Sequence, residues 1–244
     1  MGFKERRQMI LNQLNQQPLL FFPDLEQLLD VSPTTIRRDL TVLEAQGDVI
    51  RFHGGVKKNK GVAEIPMAKK QAMNPEAKKQ IARYAASLIQ PNSLIFIASG
   101  STTYAMTEFI EDTTITVVTN GIPHAETLNK KHIRAFLLCG YIKERTRSTA
   151  GDQTVKMITS YTFDQSFVGA NGIGSNLDLL SADEYEHNIK HGAIASSNHT
   201  YIMADHSKFC ANAMYRISLE GHPNVSIITD RYEGDVPSNL IVAE

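Results

Sequence analysis

Residues 31–56 read VSPTTIRRDLTVLEAQGDVIRFHGGV. Ser32-Pro33 sets a capping hydroxyl ahead of a proline, and proline is favoured at the first helical position because its missing N–H would have no helical acceptor there. The helix predicted from Pro33 carries Ile36, Leu40 and Leu43 at i, i+4 and i+7, a single apolar stripe. It runs to about Gln46, and Gly47 stands where a glycine commonly closes a helix. The period then changes. Val49 and Arg51 alternate with Ile50 and Phe52 as in a strand, and Gly54-Gly55 supplies a hairpin turn before Val56. With the stripe buried, Thr34, Thr35, Arg37, Arg38 and Thr41 lie on or beside the opposite face. Hydroxyls and guanidinium forks are the groups that bond phosphates and base edges in the major groove of DNA. Ser32 at the helix start and Arg51 and His53 on the hairpin complete the candidate DNA-binding set, the last two aimed at adjacent phosphates or the minor groove. An isolated Arg-Arg pair is usually solvated surface. Here the cap, the helix length, the closing glycine and the hairpin all favour a recognition helix.

Outward from this stretch, residues 3–16 place Phe3, Ile10, Leu11 and Leu14 near one helical face, and Pro18 ends that helix. Pro23 opens a short second helix with Leu25, Leu28 and Leu29 turned inward. Three helices and a hairpin make a winged helix-turn-helix over residues 1–57. In such a unit the second helix crosses the backbone and the third enters the groove. Residues 58–75, rich in Lys, Asn and Gly with Pro66 and Pro75, read as a linker, part of it compatible with helix.

From residue 76 to 244 the chain alternates. Helices are predicted over Lys78–Ile89, Thr102–Ile110, His124–Asn129, Val155–Tyr161 and Glu184–Ser196. Apolar strands are predicted over Leu94–Ile97, Ile115–Val118, Ala135–Cys139, Phe163–Val168, Thr200–Ala204 and Val225–Ile228. Such alternation implies an α/β domain with a mostly parallel sheet covered on both faces. In open parallel sheets ligands sit beyond the carboxyl ends of the strands. Ser99, Gly100, Ser101, Thr102 and Thr103 follow one strand as a Gly/hydroxyl loop that opens a helix, where backbone N–H groups attract anions. On local sequence alone the same residues serve equally as a turn and a helix cap. Thr119-Asn120, Gly169 and Asn171, and Asp205 and Lys208 follow three other strands, and Lys208 offers a phosphate its positive charge. Glu186 and Lys190, at i and i+4, read either as part of this site or as a surface pair.

The chain has 244 residues, 42% of them hydrophobic, with a net charge of -1, so no overall basic bias announces a nucleic-acid binder. By region, residues 1–60 hold nine Lys/Arg against seven Asp/Glu, a sign that suits a DNA-facing N-terminus. Two cysteines, Cys139 and Cys210, suggest a reducing compartment. No apolar signal core and no stretch near the roughly 20 residues of a membrane span is visible, so the expectation is a cytoplasmic protein without membrane association. The eight histidines do not cluster with the cysteines. His187 and His191 at i and i+4 lack an evident third ligand, so no metal and no cofactor are expected. An isomerase would need a carboxylate base. Asp183, Glu184 or Asp205 could be argued for that role, but Ala98 leaves the main loop without an acid, so no catalytic residue is assigned.

Residues 31–56 resemble the signature of DeoR-family regulators: Val-Ser, then Thr-Ile-Arg-Arg-Asp-Leu, Leu-Glu, Gly and Arg-x-His-Gly-Gly. The resemblance extends through Gly-Ser-Thr-Thr, Thr-Asn, Asp164…Phe167-x-Gly169, Glu186…Lys190 and Asp205-x-Ser-Lys-Phe209, covering nearly the whole chain. It implies operator contacts from Arg37, Arg38 and the preceding Ser/Thr positions, with Asp39 orienting an arginine or the helix. It also implies a sensor domain similar in fold to ribose-5-phosphate isomerase, a phosphorylated sugar as effector, repression relieved by that effector, and a homodimer or homotetramer. The chain departs from the pattern at Ala98, where an acid is common, and at Gly140-Tyr141, where Gly-Gly is common. Arg145 and Arg147, just downstream, are further phosphate candidates.

Overall fold

The computed structural model describes residues 2–17, 19–46, 48–52, 54–58, 65–211 and 213–244. It divides into two compact units, residues 1–65 and 66–244.

The first unit contains α1 (Phe3–Gln16), β1 (Leu19–Phe21), α2 (Phe22–Leu29), α3 (Pro33–Gln46), β2 (Val49–Phe52) and β3 (Gly55–Lys58). Ile36, Leu40 and Leu43 are fully buried, as the α3 stripe requires, against Ile10, Leu25 and Leu29. The hairpin β2–β3 gains a third, unexpected strand: β1 pairs antiparallel with β3, Leu20 opposite Val56. Leu19-Leu-Phe-Phe22 lacks the alternation that flags a strand, and β3 supplies the missing ladder. Arg6 of α1 grips Asp39 of α3 with two hydrogen bonds, Nε to Oδ2 at 2.5 Å and Nη2 to Oδ1 at 3.1 Å, tying the first helix to the third.

In the second unit α4 (Met67–Gln71) and α5 (Pro75–Ser87) precede β4 (Leu94–Ile97), α6 (Ser101–Met106), β5 (Thr116–Thr119), α7 (Ile122–Lys130) and β6 (Arg134–Leu137). A hairpin follows, β7 (Tyr141–Lys143) and β8 (Ser148–Ala150), then α8 (Asp152–Ile158), β9 (Phe163–Gly169), β10 (Gly172–Ile173), β11 (Leu179–Ser181) and α9 (Glu184–Ala195). The chain ends through β12 (Ser197–Met203), a 3-10 turn at His206–Lys208, β13 (Tyr215–Ile217), β14 (Val225–Thr229) and β15 (Leu240–Val242). Seven strands form one sheet in the order β15-β14-β12-β9-β4-β5-β6, and every pairing in it is parallel. Successive residues feed opposite faces. Phe96, Ile202 and Ile227 enter one apolar layer, and Ile95, Ile97, Met203 and Ile228 the other. This is why these strands read as short continuous apolar runs.

The expected linker needs correcting. Its second half belongs to the larger unit: α4 lies within it, Met67 is buried, and the Met67 N–H donates to the Arg145 carbonyl at 2.9 Å. The helix predicted over Thr102–Ile110 is also shorter than expected, six residues at Ser101–Met106.

Candidate DNA-binding face and effector cleft

On α3 Thr34, Arg37, Arg38 and Thr41 are exposed, with Ser32 just before the helix also exposed and Thr35 half-buried. Ser32 and Thr35 are occupied with each other. The Thr35 N–H donates to Ser32 Oγ at 3.3 Å, and the two hydroxyls stand 2.9 Å apart, a capping arrangement. Arg37 lies over the Phe22 ring, 5.4 Å from its centroid. Thr41 Oγ1 donates to the Arg37 carbonyl and accepts from Arg51 Nη1, both at 2.8 Å. The Arg51 guanidinium also stands 3.9 Å from Glu44. Arg51 therefore braces the hairpin against α3 as well as facing outward. Thr34 and Arg38 have no side-chain partner among the described residues, so their donors are open to an incoming ligand. Asp39 is turned inward onto Arg6. His53 and Gly47 lie outside the described residues.

The second constellation gathers at the carboxyl ends of β4, β5, β9 and β12. A cleft there is lined by Ser99, Gly100, Ser101 and Thr102 after β4, Asn120 after β5, Gly169, Ala170 and Asn171 at the end of β9, and Lys208 after β12. Ala98 just after β4, Lys70 of α4 and Glu186, Ile189 and Lys190 of α9 complete its wall. Asn120 shapes the first loop. Its Oδ1 accepts from the Ser99 N–H at 2.7 Å, and its Nδ2 donates to Ser99 Oγ at 3.1 Å.

Three predicted site residues do not reach the cleft. Thr103 is fully buried, donating to the Ala98 carbonyl at 2.7 Å and contacting His124 Nε2 at 3.2 Å. Thr119, also buried, accepts from the Gly121 N–H at 3.0 Å. Asp205 is buried, accepting from Asn74 Nδ2 at 2.9 Å with Lys78 Nζ 3.7 Å away. These residues hold the loops that carry the lining groups. Arg145 and Arg147 are not part of the wall; Arg147 pairs with Glu126 at 3.6 Å on the surface.

The Glu186–Lys190 pair is not a surface pair. Lys190 is buried, its Nζ donating to Asn171 Oδ1 at 2.7 Å and Ser181 Oγ at 3.2 Å, with Glu186 Oε2 at 3.7 Å. Sequence reading left Lys190 open between site member and surface pair, and did not single out Lys70 as a lining residue. Lys190 carried a signal, since its neighbours Ile189, Ala193 and Ile194 are apolar. Lys70, in a Lys-rich stretch, carried none.

Electrostatically the cleft is cationic, with Lys70, Lys190 and Lys208 against one lining carboxylate, Glu186. Burial pushes the Lys190 amine down to about 8, with Glu186 opposing and Lys70 reinforcing the shift. Burial also lowers Lys208, opposed by Asp205 and assisted by Lys70 and Lys78. Burial acts to raise Glu186, yet the ammonium groups of Lys190 and Lys70 hold it below the ordinary carboxylate range. An anion entering this cleft favours the charged forms of Lys190 and Lys208. Since α6 spans only six residues, its dipole is small, and the lysines provide most of the positive field.

Among the described residues no group of three or more His, Cys, Asp or Glu is placed to hold a metal. No helix is long and apolar enough to cross a membrane.

The DeoR C-terminal sensor domain matches residues 73–231, and the DeoR-like helix-turn-helix domain matches residues 6–62. The chain belongs to the DeoR family. As a DeoR-family chain it is a DNA-binding transcription repressor, with a helix-turn-helix unit followed by a sensor domain. It is 38% identical over 207 residues to the uncharacterized HTH-type transcriptional regulator FruR of Bacillus subtilis strain 168, covering 84% of this chain and 82% of that one. It is 33% identical over 212 residues to the glycerol-3-phosphate regulon repressor of Escherichia coli K12, covering 86% and 84%. Among solved structures, ribose 5-phosphate isomerase A from Methanocaldococcus jannaschii aligns with a TM-score of 0.42 and 17% identity, over 56% of this chain and 55% of that one.

Proposed function

We propose that this DeoR-family chain represses a carbohydrate-metabolism operon from operator DNA in the cytoplasm and is released when a phosphorylated sugar occupies the cleft. The observation that carries this reading is the cleft's charge, three lysines facing one carboxylate at the ends of parallel strands. A dianionic phosphate matches that excess, while the Ser99, Ser101 and Thr102 hydroxyls and Asn171 suit the hydroxyls of a sugar, with Asn120 holding Ser99 in place. Gly169 leaves room: a Cβ there would meet nothing within 4 Å. Thr34 and Arg38, with Arg37, would contact the operator, and Ser32, Thr35, Thr41 and Arg51 would position them. The cleft senses its ligand without turning it over. Its one lining carboxylate is tied to Lys190, and Ala98 stands where an acid would be needed. The repressor works as a homodimer or homotetramer, so that two winged helices meet two half-sites.

The test is retardation of DNA from upstream of the chain's own gene, with and without a panel of ribose 5-phosphate, fructose 1-phosphate, fructose 6-phosphate and glycerol 3-phosphate, each beside its unphosphorylated parent. One phosphorylated member is expected to release the DNA while its parent does not. Release by a parent sugar, or by no member of the panel, contradicts the reading.

A further inference from the structure

The helix α4 is five residues long and is the first described element after the DNA-binding unit along the chain. It packs against α6, and the Met67 N–H is bonded to the Arg145 carbonyl, but Met67 is its one buried side chain and Ala68 and Lys69 are exposed. Segments with so few buried side chains lie toward the low-stability end of a fold. Lys70, one turn beyond Met67, lines the effector cleft. Among the described residues it has no carboxylate within ion-pair distance. Its charge acts on the other groups in the wall, pushing the Lys190 and Lys208 amines down and helping to hold Glu186 ionised.

The empty and filled clefts therefore treat Lys70 differently. Without a ligand, Lys70 faces two ammonium groups, Lys190 and Lys208, with one carboxylate, Glu186, to offset them. A dianion placed between the three ammonium groups adds an attraction that the protein alone does not supply. A ligand shifts a conformational equilibrium only through unequal interaction with its states, and this added attraction is such an inequality.

We propose that Lys70 is the residue through which a bound phosphate takes hold of α4, and so of the chain segment leading to the DNA-binding unit. The inference rests on the sugar-phosphate reading of the cleft and adds the route by which occupancy reaches the operator-binding unit. Lys190 sits on α9 and Lys208 in the turn after β12, and both can bind the anion without moving the chain at its entry to this unit. Lys70 does both.

The test uses the full-length chain as wild type, Lys70→Gln and Lys70→Arg. Ligand binding is followed by calorimetry with the phosphorylated member of the panel that releases the wild type. Operator affinity is measured without ligand and at saturating ligand, and hydrogen exchange is followed at the α4 amides. Wild type is expected to lose operator affinity at least about fivefold, the low end of usual coupling energies, and to gain exchange protection in α4. Lys70→Gln should still bind the ligand at higher concentration, but at saturation its operator affinity should change less than about twofold and α4 should gain no protection. Lys70→Arg should restore both responses. If Lys70→Gln at saturation releases DNA as fully as wild type, this inference is overturned while the function stands. If it loses the response but Lys70→Arg fails to recover it, charge is not the cause and the inference is likewise overturned. A wild type that ignores every phosphorylated sugar overturns the proposed function, and this inference with it.

Discussion

His124 lies under the Ser99–Thr103 loop, 1% exposed, and burial pushes its imidazole down to about 3, so it stays neutral. Its ring fills the space above Gly121, where an added Cβ would come within 2.2 Å of Nδ1. The contact of Nε2 with Thr103 leaves the ring little freedom to swing aside. Gly121→Ala should therefore act as overpacking, costing about 1–3 kcal/mol and lowering the melting temperature of the sensor by several degrees, about 2–4 °C per kcal/mol for a unit this size. A melting curve superimposable on wild type would show that the ring has room. Lys190 gives a pH signature at the same scale. Its amine is held near 8 in the empty cleft by burial, and a bound phosphate would raise it. The complex then holds more protons than the free protein, so affinity is full below about pH 8 and falls as pH rises through it. Calorimetry at about pH 7 and pH 9 should show weaker binding at the higher value, with proton uptake near pH 8. Affinity independent of pH across that window would remove Lys190 from the site.

At the scale of elements, α3 joins two roles that its sequence shows unequally. Its buried stripe was legible because Ile36, Leu40 and Leu43 repeat at the helical period, and the outward face followed by subtraction. What the period does not carry is which outward groups are already engaged: the Thr41–Arg51 bond joins helix to hairpin across ten residues, and Arg6–Asp39 spans thirty-three. Arg38 is the guanidinium left open, so Arg38→Ala should cost about 1–3 kcal/mol of operator affinity if it reads a base, and reduce the salt-dependence slope by about one if it meets a phosphate. A titration in which affinity and slope both match wild type would take Arg38 out of the interface. Arg6→Ala acts differently, leaving the Asp39 carboxylate buried without its cation. It should lower the unfolding temperature of the first unit, and operator binding should fail only as that unit melts; unchanged thermal unfolding would show the pair to be dispensable. In the sensor, β4, β9 and β12 announced themselves as apolar runs between helices. β15 was missed because Leu240-Ile-Val242 is three residues long, and the β7–β8 hairpin because Ser148–Ala150 reads as polar turn. The strand-end loops of the cleft were visible from their Gly and hydroxyl content. Which side chains face inward was not: Thr102 lines the cleft and Thr103 props it, a difference of one residue on a helix whose rotation only the packed fold sets.

For the whole molecule, the proposed mechanism is a coupling between two sites, and coupling obeys a rule independent of which residues transmit it. If sugar phosphate weakens operator binding by a given factor, operator must weaken sugar-phosphate binding by the same factor, because both describe one free-energy cycle. A hundredfold effect corresponds to about 2.7 kcal/mol, a size that a few buried charges changing partners can supply. The alternative at this scale is that the anion competes with DNA phosphates directly on the basic face of α3, with no second site. The two differ at saturation. In the coupled case operator affinity falls to a plateau once the cleft is full, and sugar phosphate still binds the DNA-bound protein with affinity lowered by the plateau factor. In direct competition there is no plateau, and DNA-bound protein takes no ligand. Calorimetric titration of sugar phosphate into free protein and into the protein–operator complex measures one factor, and operator binding across rising ligand measures the other. Equal factors with a plateau are expected. Lys208→Gln should shift the ligand concentration needed to reach the plateau, since Lys208 belongs to the cleft and not to the operator face. Absence of a plateau in the wild type would assign the anion's effect to α3 and leave the three lysines of the sensor without a part in release.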